Sequence, residues 1–201
     1  MSQLTLCIAA LVVASLVGVI SAESLSSAFI NKFNAVRRHE ATTEHVSNMF
    51  KMAWDNTLAS QAQHWANNCK FVHSHTGGVG ETIYVTSSDT DTTNHYATKA
   101  IDAWMSEKKL NTNGHFSCCK TGCGHYCMTV RDVATHVGCG VKKCAHVGSY
   151  TTGTLVVCQF KTDGTGAGAA VYHKGGICSQ CGANTHCESN LCVHGAAHPI
   201  G

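Results

Sequence analysis

Charge is scarce in this chain: of its 201 residues only 13% are Asp, Glu, Lys or Arg, and the formal net charge is +2. No basic stripe runs along it, which excludes the electrostatic footprint of a nucleic-acid binder. Beyond the first apolar run no second one reaches membrane-spanning length, so no span is expected once that first segment is removed. No Asn-x-Ser/Thr triplet occurs, and N-glycosylation is not expected. No Ser or Cys nucleophile is evident beside a base.

Leu4 to Ile20 is almost continuously apolar and uncharged, and Ser21-Ala22 supplies small residues before Glu23. Residues 1–22 therefore read as a secretory signal peptide cleaved near Ala22, although its start lacks Lys and Arg. Cleavage removes Cys7 and leaves twelve cysteines. An even number in an oxidising compartment predicts six disulfides rather than metal sites. Spacing alone leaves their connectivity open.

After the leader, Leu25, Phe29, Phe33 and Val36 fall at helical spacing and predict a first amphipathic helix. Trp54-Asp55-Asn56 looks like a helix entry in which Asp55 caps, and Leu58, Ala62, Trp65 and Cys69 continue a second stripe. His73-Ser74-His75 has chelating spacing if extended, but a solvated loop is the expectation. Thr86 to Thr93 is Ser, Thr and Asp only, which is loop chemistry. Ala97, Ala100, Ile101, Trp104 and Lys108 mark a third helix, with Glu107 on the side of Trp104 as a surface carboxylate.

From His125 to Val130, Tyr126, Met128 and Val130 alternate with His125, Cys127 and Thr129, which predicts a strand carrying His125 on one face. On this reading His125 is a hydrogen-bonded histidine at a core edge. Asp132 to Thr135 connects to a second strand, Val137 to Val141, and Leu155 to Phe160 forms a third. Gly164 to Ala170 has linker character. The tail with Cys178, Cys181, Cys187 and Cys192 is too poor in apolar residues to build a core, so two bridges must hold it.

Several phrases occur in order: Trp54-Asp55-Asn56, Trp65-Ala66-Asn67-Asn68-Cys69, His73-Ser74, Gly80-Glu81, Trp104 with Glu107, Gly124-His125-Tyr126, Val137-Gly138-Cys139 and Val157-Cys158-Gln159-Phe160. Together they resemble the motifs of the CAP superfamily, the cysteine-rich secretory, antigen and pathogenesis-related proteins that share the SCP domain. The likeness runs from about Ser24 to Gly166. The tail is similar to the cysteine-rich hinge of secretory proteins and of venom-allergen-like proteins of parasitic worms. The resemblance implies an α/β fold, a three-layer α-β-α sandwich with a small antiparallel sheet, over residues 23–166. Residues 167–201 would be linker and disulfide-rich hinge.

It also implies bridges Cys69 to Cys144, Cys139 to Cys158, Cys178 to Cys187 and Cys181 to Cys192. Cys118, Cys119, Cys123 and Cys127 then make two bridges among themselves in an order left open, adjacent Cys118 and Cys119 not bonding each other. Many relatives gather two histidines and two glutamates in a cavity. By motif the positions here are Phe33, Glu81, Glu107 and His125, so an aromatic ring stands where an imidazole is expected. Cys127-Met128, Thr82 and Arg131 are further departures around that cavity. The resemblance therefore implies a secreted, non-enzymatic protein with no cofactor and no assigned metal or catalytic residue. Its implied ligands are small lipids or sterols and extracellular proteins. The alternative is a metal-dependent hydrolase or protease using Glu81, Glu107 and His125.

Overall fold

A computed structural model describes residues 24–87, 92–112, 116–161 and 170–195. The expected leader and nearly all of the stretch Gly164 to Ala170 lie outside these residues.

Helix α1 (Leu25–Thr43) starts where the Ser24 hydroxyl accepts from the Ser27 amide. Its apolar stripe is buried as the spacing predicts, with Phe29 and Phe33 fully covered. The same helix also buries three polar side chains, each satisfied by distant backbone or side chains. Asn34 donates to the Met52 carbonyl at 3.0 Å and accepts from the Met52 amide at 2.8 Å. Arg37 donates to the carbonyls of Phe50, Thr129, Arg131, Asp132 and Ala134. Burial lowers its pKa to about 9 against the pull of Asp132, and it stays charged at neutral pH. Glu40 accepts from Tyr126 at 2.6 Å and from Lys108 at 3.0 Å.

Strand β1 (Ala53–Trp54) leads into α2 (Asn56–Ala66), capped by the Asp55 carboxylate, which accepts from the amides of Thr57 and Leu58. Strand β2 (Val79–Thr86) and helix α3 (Thr93–Ser106) follow, then two 3-10 turns, Glu107–Leu110 and Ser117–Lys120. Helix α4 (Gly124–Thr129) precedes β3 (His136–Cys144) and β4 (Gly153–Lys161). The sheet order is β1-β3-β4-β2, antiparallel except for the short parallel pairing of β1 with β3. Alternation along β3 and β4 sends Val137, Cys139, Val156, Cys158 and Phe160 toward α1 and α3. Ile83, Leu155 and Val157 face α2. This is the three-layer sandwich, with the sheet between α2 and the α1/α3 pair.

Gly138 and Gly140 explain how closely α2 lies on β3. A Cβ at Gly138 would fall 2.0 Å from the Ala59 nitrogen, and one at Gly140 would fall 2.4 Å from the Gln63 nitrogen. Only a side-chain-free strand admits that approach. Gln63 then uses it: its amide donates to the Val141 carbonyl and accepts from the Val141 amide, completing the strand where β1 has ended.

One predicted element differs. The His125 to Val130 segment is helical, not extended, over Gly124–Thr129. Six residues are too few to separate period two from period 3.6 by pattern. Tertiary groups decide it: Glu107 accepts from the amides of His125 and Tyr126, both at 3.1 Å, and supplies the partner that the first turn lacks. Disulfides Cys118–Cys123 and Cys119–Cys127 pin the same turn at both ends.

The other four bridges, Cys69–Cys144, Cys139–Cys158, Cys178–Cys187 and Cys181–Cys192, are those the family likeness implied. The tail forms a hairpin, β5 (Thr185–Glu188) with β6 (Leu191–His194). Disulfides do not hold it alone. The Cys192 amide donates to the Met49 carbonyl, Arg38 donates to the Ser189 carbonyl, Lys51 pairs with Glu188, and His194 stacks on Phe50.

Candidate functional site

Four titratable side chains from four segments meet at the β2 edge of the sheet. Glu81 comes from β2, opposite Gln159 of β4 in the strand register. His73 comes from the loop between α2 and β2, Glu107 from the end of α3, and His125 from α4. Within the first pair, His73 Nδ1 lies 3.0 Å from Glu81 Oε1. Within the second, His125 Nδ1 lies 2.7 Å from Glu107 Oε1. The two imidazole rings are neighbours, with centroids 5.6 Å apart and planes tilted by 40°.

Glu81 is the most deeply set, its side chain 7% exposed. Desolvation pushes its carboxyl pKa up, but hydrogen bonds from His73, Gln159 and Ser74 outweigh this and bring it down to about 2. The bonds come from the Gln159 amide at 3.0 Å and the Ser74 backbone amide at 2.8 Å as well as the ring. An ionised carboxylate only accepts, so His73 Nδ1 carries the proton. The same logic at Glu107, which already accepts two backbone amides, puts the proton of His125 on Nδ1.

With the proton on Nδ1, Nε2 of a neutral ring carries the lone pair. His125 Nε2 is buried and has no hydrogen-bond partner among the described residues. A carboxylate on Nδ1 that frees Nε2 is the arrangement that orients a metal-ligating histidine. The residues present therefore fit a divalent cation, with His73 and His125 as nitrogen ligands and Glu81 and Glu107 as the groups that orient them. Among the described residues no three of these four donors lie within 4.8 Å of one another, so the site is two neighbouring pairs rather than a closed cage. The tighter gatherings, Cys119, Cys123 and Cys127 and also Cys178, Cys181 and Cys192, consist of bridged half-cystines.

The expected set needs correction at one position. Glu81, Glu107 and His125 come together, but Phe33 does not join them. It sits fully buried, edge-on to Phe160 at 5.4 Å and stacked with Trp104 at 6.2 Å. Trp104 in turn neighbours His125, ring to ring at 6.2 Å, and fixes itself by donating to the Ile83 carbonyl. The second imidazole is His73, which the local sequence places in a solvated loop. Its ring is indeed 44% exposed, but its inner nitrogen is held by Glu81. The signal was present, since His73-Ser74 is one of the ordered motifs.

A family model described as the cysteine-rich secretory protein family, CAP, matches residues 30–160. This chain belongs to the CAP family. It is 30% identical over 176 residues to GLIPR1-like protein 1 of Mus musculus, covering 82% of this chain and 70% of that one. Among solved structures, hookworm platelet inhibitor superposes with a TM-score of 0.69 at 26% identity, over 87% of this chain and 92% of that one. NaASP2 with Zn2+ superposes with a TM-score of 0.66 at 26% identity, over 87% and 98%. This CAP protein carries its domain as a disulfide-tied sandwich. The described residues contain no helix long and apolar enough to cross a membrane.

Proposed function

We propose that this CAP protein is exported by residues 1–22 and acts outside the cell, without an enzymatic activity of its own, by binding partners over the His73/His125 face. Residues 23–166 form the binding domain and 167–201 its hinge. The supporting observation is the pair of neighbouring imidazoles, each held through Nδ1 by a carboxylate. Cys127, the thiol nearest in sequence to His125, is bridged to Cys119. Glu81 spends its oxygens on the His73 ring, the Ser74 backbone amide and the Gln159 side-chain amide, and Glu107 on the His125 ring and two backbone amides, which leaves neither as a ready general base. A divalent cation held at these rings would supply positive charge and open coordination positions. Two similar structures, hookworm platelet inhibitor and NaASP2 with Zn2+, support this reading.

Protein partners fit better than sterols or fatty acids between α1 and α3. That interface is filled by Phe29, Phe33, Ala97, Ala100, Ile101 and Trp104, each 1% exposed or less. Calorimetry with zinc chloride, paired with a peptide-library hydrolysis assay, tests the proposal. Zinc binding by the native protein, weakened at least roughly tenfold in both His73→Ala and His125→Ala, with no hydrolysis, is expected. Hydrolysis that disappears in His125→Ala, or an absence of zinc binding, would overturn it.

A further inference from the structure

Beside the histidine pairs, on the α2 side of the loop that carries His73, lies an open groove of about 350 Å³. That is the lower end of the range for small-molecule sites, about 300 to 1,000 Å³. Ser60, Gln61, His64 and Trp65 line it from one face of α2, and Ser74 and Thr76 from the loop opposite. We propose that this groove is a binding site for neutral carbohydrate, taking a pyranose ring against Trp65.

The lining selects the ligand class. It contains no Asp, Glu, Lys or Arg, so it presents no carboxylate, ammonium or guanidinium to pair with a charged ligand. Five of its six side chains carry a hydroxyl, amide or imidazole, set in a lining that presents more apolar than polar surface, a mixture that suits the two-sided character of a sugar ring. Hydroxyls and amides both donate and accept, as sugar hydroxyls require. The sixth is an indole, whose electron-rich face attracts the weakly positive C–H face of a pyranose.

The wall is also pre-set. Trp65 donates its Nε1–H to the Val72 carbonyl at 2.9 Å, which fixes the ring plane. The hydroxyls of Ser74 and Thr76 lie 2.8 Å apart, and the Gln159 amide donates to Ser74 at 3.2 Å. Opposite them, no described residue takes up the Ser60 hydroxyl or the Gln61 amide, and both side chains are exposed. The fixed wall of Trp65, Ser74 and Thr76 reduces the ordering cost of a weak ligand, while Ser60 and Gln61 are available to donate and accept.

The proposal does not rest on the histidine pairs, and its test leaves them intact. The 15N-labelled protein would be titrated with methyl α-mannoside, methyl β-galactoside and N-acetylglucosamine, and separately with glucuronate and decanoate, following the Trp65 indole and Gln61 amide resonances. At least one neutral sugar should give saturable shifts confined to the groove, at affinities of about 1 mM, the level a shallow open site supports. Gln61→Arg, an exposed change that fills the groove without touching the core, should weaken binding roughly tenfold or more. Trp65→Leu should abolish it where that variant folds. Neutral sugars that leave these resonances unmoved, binding unchanged in Gln61→Arg, or larger groove shifts from glucuronate or decanoate would each overturn the proposal. Zinc binding in Gln61→Arg should match the native protein, so failure here is separable from failure at His73 and His125.

Discussion

Glu81→Gln gives the sharpest test of the site's electrostatics, because the carboxylate is held ionised by donors that are all on view. Folding lowers its pKa from 4.5 to about 2. That shift corresponds to about 3 kcal/mol, and to about 2 kcal/mol once solvent screening beside the exposed His73 ring is allowed for. The sign follows from the depressed value. The stabilisation is fully present above the unfolded value near 4.5, and it is lost as pH falls toward about 2. His73 donates through Nδ1 in both of its protonation states, so charging of the ring does not remove the bond. Urea unfolding of the disulfide-intact protein, followed by circular dichroism at steps from pH 7 to pH 2, is the assay. Comparison with Glu81→Gln isolates this group from Glu44 and Glu188, whose carboxyls hydrogen bonds to lysine also lower. The native protein should exceed the variant by about 2 kcal/mol at pH 7, and the two should converge below pH 3. A gap that stays constant over this window, or no gap at neutral pH, would refute the assignment of Glu81 as a locked carboxylate.

Three further outcomes are expected. Gly140→Ala puts a methyl group against the backbone of Gln63, which cannot yield as a side chain would, and should cost about 2 to 3 kcal/mol in chemical denaturation while leaving zinc binding in the surviving fold unchanged. Phe33→His buries an imidazole among Phe29, Trp104 and Phe160; it should destabilise by about 3 kcal/mol and should not tighten zinc binding in calorimetry, since position 33 lies outside the pairs. Lys108→Met strips the buried Glu40 of its cation while Tyr126 and Tyr172 still donate to it, and should cost about 3 kcal/mol near neutral pH by urea unfolding. Recovery of most of that loss in the double variant Lys108→Met, Glu40→Gln would confirm the mechanism.

The lysine that anchors Glu40 joins the site to the rest of the molecule. Lys108 follows Glu107 directly and also binds Glu44, which pairs with Lys174 of the tail. Desolvation works against the Lys108 charge, but the bonds to Glu44 and Glu40 outweigh it and raise its pKa. Tyr126, the neighbour of His125, and Tyr172 of the tail both direct their hydroxyls at Glu40. Desolvation leads in raising both phenol pKa values, so both remain neutral donors. The histidine face, α1 and the hinge are thus bound through one buried carboxylate.

Features governed by neighbours a few residues away were readable from the sequence itself. The α1 stripe of Phe29 and Phe33, the Asp55 cap of α2, and strands β3 and β4 all follow from periodicity and capping, which act within a turn or a pleat. The ordered motifs fixed the family and four of the six bridges. Only the tertiary structure decided the rest. Gly124–Thr129 alternates like a strand but coils because Glu107, from another helix, satisfies its first amides and two disulfides clamp it. His73 belongs to the site because Glu81 reaches its inner nitrogen, a contact made by chain reversal rather than by local spacing. Phe33 is core by its helical stripe already; what the tertiary structure adds is its packing against Trp104 and Phe160, which keeps it out of the site.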